Sequence, residues 1–141
     1  IESREVSKKY IALVEGNDLM QEGTLENWLL KDVKAKRSIA VKPNTKNARQ
    51  AILHYKILQK NESTTMLEIG LETGRYHQVR CQFAHIGHPV VNDIIYGAKQ
   101  INSESAICLH ATSYTIMHPM NTQQMIFYAA TPESEIWNVH A

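Results

Sequence analysis

The 141-residue chain predicts an α+β domain, a mixed but largely antiparallel sheet with a few helices. Three observations carry that expectation. Residues 50–60 and 64–73 alternate apolar and polar side chains across a short polar turn, as a hairpin does. AICLHATSYTIMHP and QMIFYAAT form a second such pair around the turn PMNT. Between the two pairs, residues 75–87 follow the 3.6-residue period of an amphipathic helix. The length suits one domain with its own core, and no internal repeat divides it.

In chain order, KKYIALVEG is a β-rich run that ends at Gly16. GTLENWLLKD places Leu25, Trp28 and Leu29 at helical spacing, yet fits a short irregular pair of strands equally, and the period does not decide. KPNTKNA is a loop. QAILHYKILQK sets Ile52, His54 and Lys56 against Ala51, Leu53, Tyr55 and Ile57, a strand with one wet face. TTMLEIGLET sets Met66, Glu68 and Gly70 against Leu67, Ile69 and Leu71 in the same manner. In the helix, Thr73 is expected to cap the first turn and Gly74 to permit close backbone approach. Tyr76, Val79, Phe83 and Ile86 form the apolar arc. His77, Cys81 and His85 form a second stripe, with Arg75, Gln78 and Gln82 between the two. Gly87 and Pro89 end the helix. Asp93, in HPVVNDIIYG, is expected to cap or pin a turn.

With 43% apolar and 21% charged residues the composition is that of a soluble globular domain. No apolar run approaches the roughly 20 residues of a membrane helix, and IESREVSKKY lacks the apolar core of a signal peptide. Two cysteines, Cys81 and Cys108, make no disulfide framework and suit buried thiols in a reducing, cytoplasmic setting. Net charge is only +1, but residues 31–60 hold nine of the fifteen Lys and Arg against the single acid Asp32. Such a stripe can track a polyanion; it can also be a solvated loop face.

Arg75 near the helix start, with Arg80 about a turn further on, suits a bound anion, either a phosphate or a carboxylate held in a buried pair. Surface ion pairs are the alternative. The His77–Cys81–His85 stripe at i, i+4, i+8 could share a metal with Cys108 or His110, but it carries no carboxylate and no paired CxxC spacing. Hydrogen-bonded packing is the competing use. There is no GxxxxGKS loop and no GxSxG elbow. The residues therefore describe a cationic gripping site without a nucleophile.

LETGRYHQVRCQFAHIGHPVVND, followed by IIYG, resembles the TGRxHQxR…HxGHPxxxDxxYG signature of the RluA-type RNA pseudouridine synthases. KKYIALVEG is similar to that family's KxYxAxVxG strand, and LHATSYTIMHP with IFYAATP to its LHAxxLxFxHP…F.AP ending. The blocks run in the family's order from Lys9 to Pro132. Departures are Tyr76 for a small Thr or Ser, Asn92 for Gly and Ile94 for Pro. The resemblance implies the catalytic-domain fold of pseudouridine synthases and the isomerisation of a uridine in RNA, ribosomal or transfer, to pseudouridine. It implies no metal and no organic cofactor. The base would be flipped from the RNA at a cost of a few kcal/mol of unstacking. By the same resemblance Tyr10 would stack on the flipped base and stand near its carbon-5 proton, and Arg75 would pair with the catalytic aspartate. His77, Gln78 and Arg80 would support the pocket or reach the RNA backbone. Lys9 would bind RNA, as would Lys36, Arg37 and Lys42 of the basic stripe. Ile107, Leu109 and Ile116 would wall the pocket or fill the core.

The family's aspartate lies in an HRLDxxTSG motif upstream of the KxYxAxVxG strand, and residues 1–141 contain no such motif. The chain is thus expected to be the C-terminal portion of one catalytic domain, inactive alone, with the aspartate supplied from upstream and an open sheet edge beside Tyr10. The alternative is an RNA-binding pseudoenzyme without a nucleophile.

Overall fold

The computed structural model describes residues 6–99, 106–117 and 124–128. Among these lie the strands β1 (Val6–Glu15), β2 (Glu22–Asp32), β3 (Arg37–Val41), β4 (Arg49–Lys60), β5 (Thr64–Leu71), β6 (Leu109–Met117) and β7 (Gln124–Tyr128), and the helix α1 (Gln78–His85). The strands form one sheet in the order β3-β2-β4-β5-β1-β6-β7, with every described pairing antiparallel. The α+β architecture expected from the alternation is therefore present. Residues 118–123, which hold the expected PMNT turn, lie outside the described residues, as does the Ile116 side chain.

GTLENWLLKD resolves as part of a strand. Leu25 and Leu29 face inward with Asn27 between them, so the inner face of β2 carries a polar residue where plain alternation would put an apolar one. β4 and β5 keep the expected period. Ala51, Leu53, Tyr55 and Ile57 are buried while His54 and Lys56 are exposed, and Leu53, Tyr55 and Ile57 stand opposite Leu71, Ile69 and Leu67. The KPNTKNA loop turns on Asn44 and Asn47, both left-handed at φ 66° and 69°. Its Lys42 carbonyl accepts from the Thr45 amide and hydroxyl, at 3.2 and 2.7 Å.

β1 is flanked by β5 on one side and β6 on the other, so the open edge expected beside Tyr10 is absent. Opposite the Lys9/Tyr10 step β6 carries one extra residue, Thr112. Such a bulge bends the strand locally and re-aims its side chains.

The helix is shorter than its periodicity suggests. Residues 75–77 form a turn and only Gln78–His85 are helical, preceded by His77 in the left-handed region at φ 54°. Thr73 does not cap it, and a methyl group at Gly74 would meet nothing within 4 Å, so neither expectation for those residues holds. Val79 and Phe83 are buried as expected, but Tyr76 and Ile86 are 39% and 38% exposed, while Gln78, Cys81 and Gln82 are buried. The physical reason is the surface the helix packs against. Gln82 Nε2 meets the carbonyls of Leu25 and Ala51, each at 3.2 Å, and Asn27 Oδ1 at 2.9 Å. Asn27 Oδ1, under the helix, requires a donor, and an aliphatic side chain at position 82 would leave it without this one. Gly87 ends the helix as expected: at φ 87° it donates to the Ala84 carbonyl while the His88 amide reaches the Phe83 carbonyl at 2.8 Å, a Schellman closure.

Beyond the helix, Pro89–Asp93 runs alongside the end of β1. The Glu15 amide donates to the Pro89 carbonyl and the Val91 amide to the Leu13 carbonyl, at 2.9 and 2.8 Å. His88 packs its ring on Gly16, where a Cβ would stand 2.6 Å from Nδ1. Glycine at that position, φ 92°, meets both the space and the backbone requirement.

Candidate active site and RNA-facing surface

Antiparallel register fixes which side chains share the covered face. Lys8 stands opposite Leu71, Tyr10 opposite Ile69 and Ala12 opposite Leu109, so Lys8, Tyr10, Leu71 and Leu109 lie on the face that carries α1. The turn before the helix brings Gly74, Arg75 and His77 over them. Together with Gln78, Val79 and Arg80 these residues enclose a cavity of about 280 Å³. Tyr10 and Arg75, 65 positions apart in the chain, thus meet at one pocket.

The loop that carries Arg75 is tied to β4 by two side chains. Thr73 Oγ1 accepts from the Ile52 amide at 2.9 Å and donates to Gln78 Oε1 at 2.8 Å. That same Oε1 accepts from the Arg75 amide at 2.9 Å, and Gln78 Nε2 donates to the Ile52 carbonyl at 3.1 Å. Gln78 is 3% exposed and its amide is engaged within the protein, so it positions the loop rather than reaching outward. Arg75 Nε donates to the Gln50 carbonyl at 2.8 Å, and among the described residues the guanidinium meets no carboxylate. Arg75 lies three residues before the first helical residue and not within the first turn.

Arg80 has its own carboxylate. Its Nε and Nη2 donate to Asp93 Oδ2 and Oδ1 at 2.8 and 2.9 Å, a planar two-point pair, with the Asp93 side chain 1% exposed. The hydrogen bond to Asp93 holds the guanidinium pKa above its ordinary value. Asp93 therefore pins its turn as expected, through an ion pair and not a side-chain cap.

Arg80 Nη1 also donates to His77 Nε2 at 3.0 Å. Guanidinium has no lone pair to accept with, so that ring nitrogen is the acceptor and the imidazole hydrogen sits on Nδ1. Nδ1 in turn donates to the Tyr96 hydroxyl at 2.8 Å, which also accepts from the Ser38 amide at 2.9 Å. Burial and the neighbouring Arg80 charge both lower the His77 pKa. Because the folded value lies below the ordinary 6.5, the native state binds fewer protons here than the unfolded chain does. Stability then falls as pH drops through 6.5 toward the folded value. In urea unfolding between pH 7.5 and 5.5, His77→Gln is expected to show a shallower loss than the wild type, and equal slopes would count against this assignment.

The other stripe residues have uses of their own. Burial pushes the Cys81 thiol up to about 11, and its sulfur lies 3.4 Å from the Ser38 carbonyl. His85 is exposed, and among the described residues no group of three His, Cys, Asp or Glu side chains converges on one point.

The basic stripe does not form one face. Lys31 and Arg49 lie on the helix-bearing side with Leu29, whereas Lys56 projects from the opposite side and pairs with Glu68 at 3.5 Å. Lys36 and Lys42 are exposed in turns. Arg37 is turned inward: it donates to the Ile95 carbonyl at 2.8 Å and lies over the Tyr96 ring. Lys9, by alternation from Tyr10, points away from the pocket, and its neighbour Lys8 lines it instead. Lys8 could have been found from its i−2 spacing to Tyr10. Leu109 lines the pocket and Ile107 packs on the core.

Known proteins to which the chain is similar place it in a family. The family model for RNA pseudouridylate synthase matches residues 1–85. The uncharacterized RNA pseudouridine synthase YlyB of Bacillus subtilis (strain 168) is 31% identical over 131 residues, 93% of this chain and 42% of that protein. Ribosomal large subunit pseudouridine synthase D of Escherichia coli (strain K12) is 31% identical over 149 residues, 96% of this chain and 44% of that protein. The chain thus spans less than half the length of these curated relatives. In fold it is similar to human RNA pseudouridylate synthase domain containing 1, with a TM-score of 0.75 at 20% identity, covering 98% of this chain and 66% of that one. Among the described residues no helix is long and apolar enough to cross a membrane. With a family model matched over more than half of the chain, this chain belongs to the RluA-type RNA pseudouridylate synthase family.

Proposed function

We propose that residues 1–141 are the C-terminal portion of one pseudouridine synthase catalytic domain, which isomerises a uridine in ribosomal or transfer RNA. The catalytic aspartate is supplied by residues outside this chain. The observation that carries the reading is the meeting of Tyr10 and Arg75 at one cavity of about 280 Å³, with no acid among its lining residues. A pocket near the lower end of the usual ligand range suits a single nucleoside. Ribosomal RNA is the first candidate because relatives such as the Escherichia coli protein are named for the large ribosomal subunit. Either RNA implies a cytoplasmic protein.

In this mechanism the target uridine leaves the stack and lies against the Tyr10 ring, which returns part of the unstacking cost. The aspartate acts at the ribose, the bond from C1′ to N1 breaks, the uracil turns, and C1′ bonds to carbon 5. Carbon 5 then loses its proton and N1, freed when the glycosidic bond broke, gains one, with the Tyr10 hydroxyl assisting the transfer. Arg75 keeps the aspartate ionised through a charge-assisted pair. His77, Gln78 and Arg80 hold the turn and helix that carry Arg75. The exposed Lys36 and Lys42 contact the RNA backbone without reading bases. Nothing in these steps requires a metal or organic cofactor.

The test follows from the carbon-5 chemistry. Unmodified large-subunit ribosomal RNA, labelled with tritium at uridine carbon 5, is incubated with the full-length protein. Release of tritium and a pseudouridine at defined positions are expected, with none from residues 1–141 alone. RNA binding without release from ribosomal or transfer RNA would replace this reading with that of a binding protein.

A further inference from the structure

Beside the pocket that holds Tyr10 lies a second depression of about 250 Å³, and Gly74 and Arg75 belong to the walls of both. Its remaining walls are Leu29, Lys31, Ser38, Asn47, Arg49 and Tyr76. With Arg75, three of the lining side chains are cationic, and none is acidic. Among the described residues neither Lys31 nor Arg49 forms an ion pair, although Lys56 on the opposite face does. Among the described residues no carboxylate pairs with the charge in this depression.

Lys31 and Arg49 flank Leu29 on the helix-bearing face of β2 and β4, so register alone directs both inward. Asn47 enters from the loop built on its left-handed backbone. Tyr76 lies flat on the His77 ring, with centroids 3.9 Å apart and planes 17° from parallel. The Lys31 ammonium rests 4.3 Å from the Tyr76 ring centroid. A cation over an aromatic ring is oriented without being neutralised, so it remains able to bind an anion. Tyr76 is also the residue that departs from the small hydroxyl side chain common at this position in the resembling motif.

We propose that this depression is a phosphate subsite, taking the RNA backbone phosphate adjacent to the flipped uridine. Lys31 and Arg49 are its charge, and Arg75 forms the shared wall. The inference rests on the isomerase reading for the identity of its neighbour, but its own content is a polyanion contact. Continuity through Arg75 favours a ligand that enters both depressions at once, and a nucleic acid strand, with a base on one side of its backbone and a phosphate at every step, is such a ligand.

Each phosphate neutralised releases counterions, so log K against log salt steepens by about 0.7 to 0.9 per contact. In the full-length protein, Lys31→Gln with Arg49→Gln is expected to weaken binding to transcribed large-subunit ribosomal RNA about tenfold or more in 0.1 M salt. The salt slope should become shallower by about 1 to 2. Lys56→Gln, on the opposite face, should bind as the wild type. A double variant with wild-type affinity and slope overturns the subsite. Equal losses in Lys56→Gln overturn it as well, because they would assign the effect to net charge. Failure of the wild type to isomerise uridine, with the slope change present, overturns the isomerase reading and leaves the subsite standing.

Discussion

Replacing Arg75 with alanine in the full-length protein is expected to lower the single-turnover rate at saturating RNA about 10³-fold, roughly 4 kcal/mol of transition-state stabilisation. The loop carrying Arg75 is fixed by the Thr73–Gln78–Ile52 hydrogen bonds, and one of its guanidinium nitrogens is occupied by the Gln50 carbonyl. Arg75 also lines the Tyr10 pocket, whose described walls hold Lys8 and Arg80 but no acid. A carboxylate entering that pocket would pair there without displacing an existing partner. Loss of Arg75 raises the pKa of such a carboxylate, so residual activity should shift to higher pH. Arg75→Lys should restore activity in part, because ammonium supplies charge without the two-point geometry. RNA affinity should fall by no more than about tenfold, since one phosphate contact is worth far less than the chemical step. A variant that turns over normally would remove Arg75 from the active site. Equal losses in rate and binding would make it an RNA-gripping residue and not the partner of a carboxylate.

Much of the scaffold was legible before the structure. The alternation in β4 and β5 has an apolar residue at nearly every inward position, so period, register and buried face all agree. The β2 sequence does not decide between helix and strand because Asn27 faces inward, where it meets Gln82. A buried polar pair erases the period-two signal that a strand depends on. The helical period runs past the true helix start for a related reason. Arg75, Tyr76 and His77 fit the helical spacing, but a left-handed non-glycine residue at His77 leaves no mark in the sequence. Gln78 and Gln82 are counted as wet residues by hydropathy, yet they are buried because the sheet offers them carbonyls. Tyr76, just before the helix, and Ile86, just after it, are apolar and exposed. The meeting of Tyr10 with Arg75 followed from resemblance alone, because no local spacing connects positions so distant. Nor could the two roles of the arginines be told apart: Asp93 was visible thirteen residues after Arg80, but only the fold brings them together.

Removing that aspartate should be the most damaging single change to the fold itself. Asp93 anchors the segment whose Val91 amide bonds to β1 and whose Val91 carbonyl accepts from the Cys108 amide. Arg80 extends the same connection to α1, and the pair is almost entirely enclosed, with side-chain exposures of 16% and 1%. Breaking a buried pair from one side leaves the other charge without compensation, at a typical cost of about 3–5 kcal/mol. Against a total stability of about 5–15 kcal/mol, Asp93→Ala should therefore move the urea midpoint of the full-length protein sharply downward. Arg80→Met in the same background should recover part of the loss by removing the stranded cation, so the double variant should be more stable than Asp93→Ala alone. The recovery should remain incomplete, because Arg80 also donates to His77, and without that contact the Tyr76–His77 stack loses one of its supports. An Asp93→Ala protein that unfolds at the wild-type midpoint would show that backbone bonds to β1 hold the segment without the ion pair. A double variant less stable than Asp93→Ala would show that the Arg80 contacts with His77 and Tyr96 outweigh the cost of its uncompensated charge.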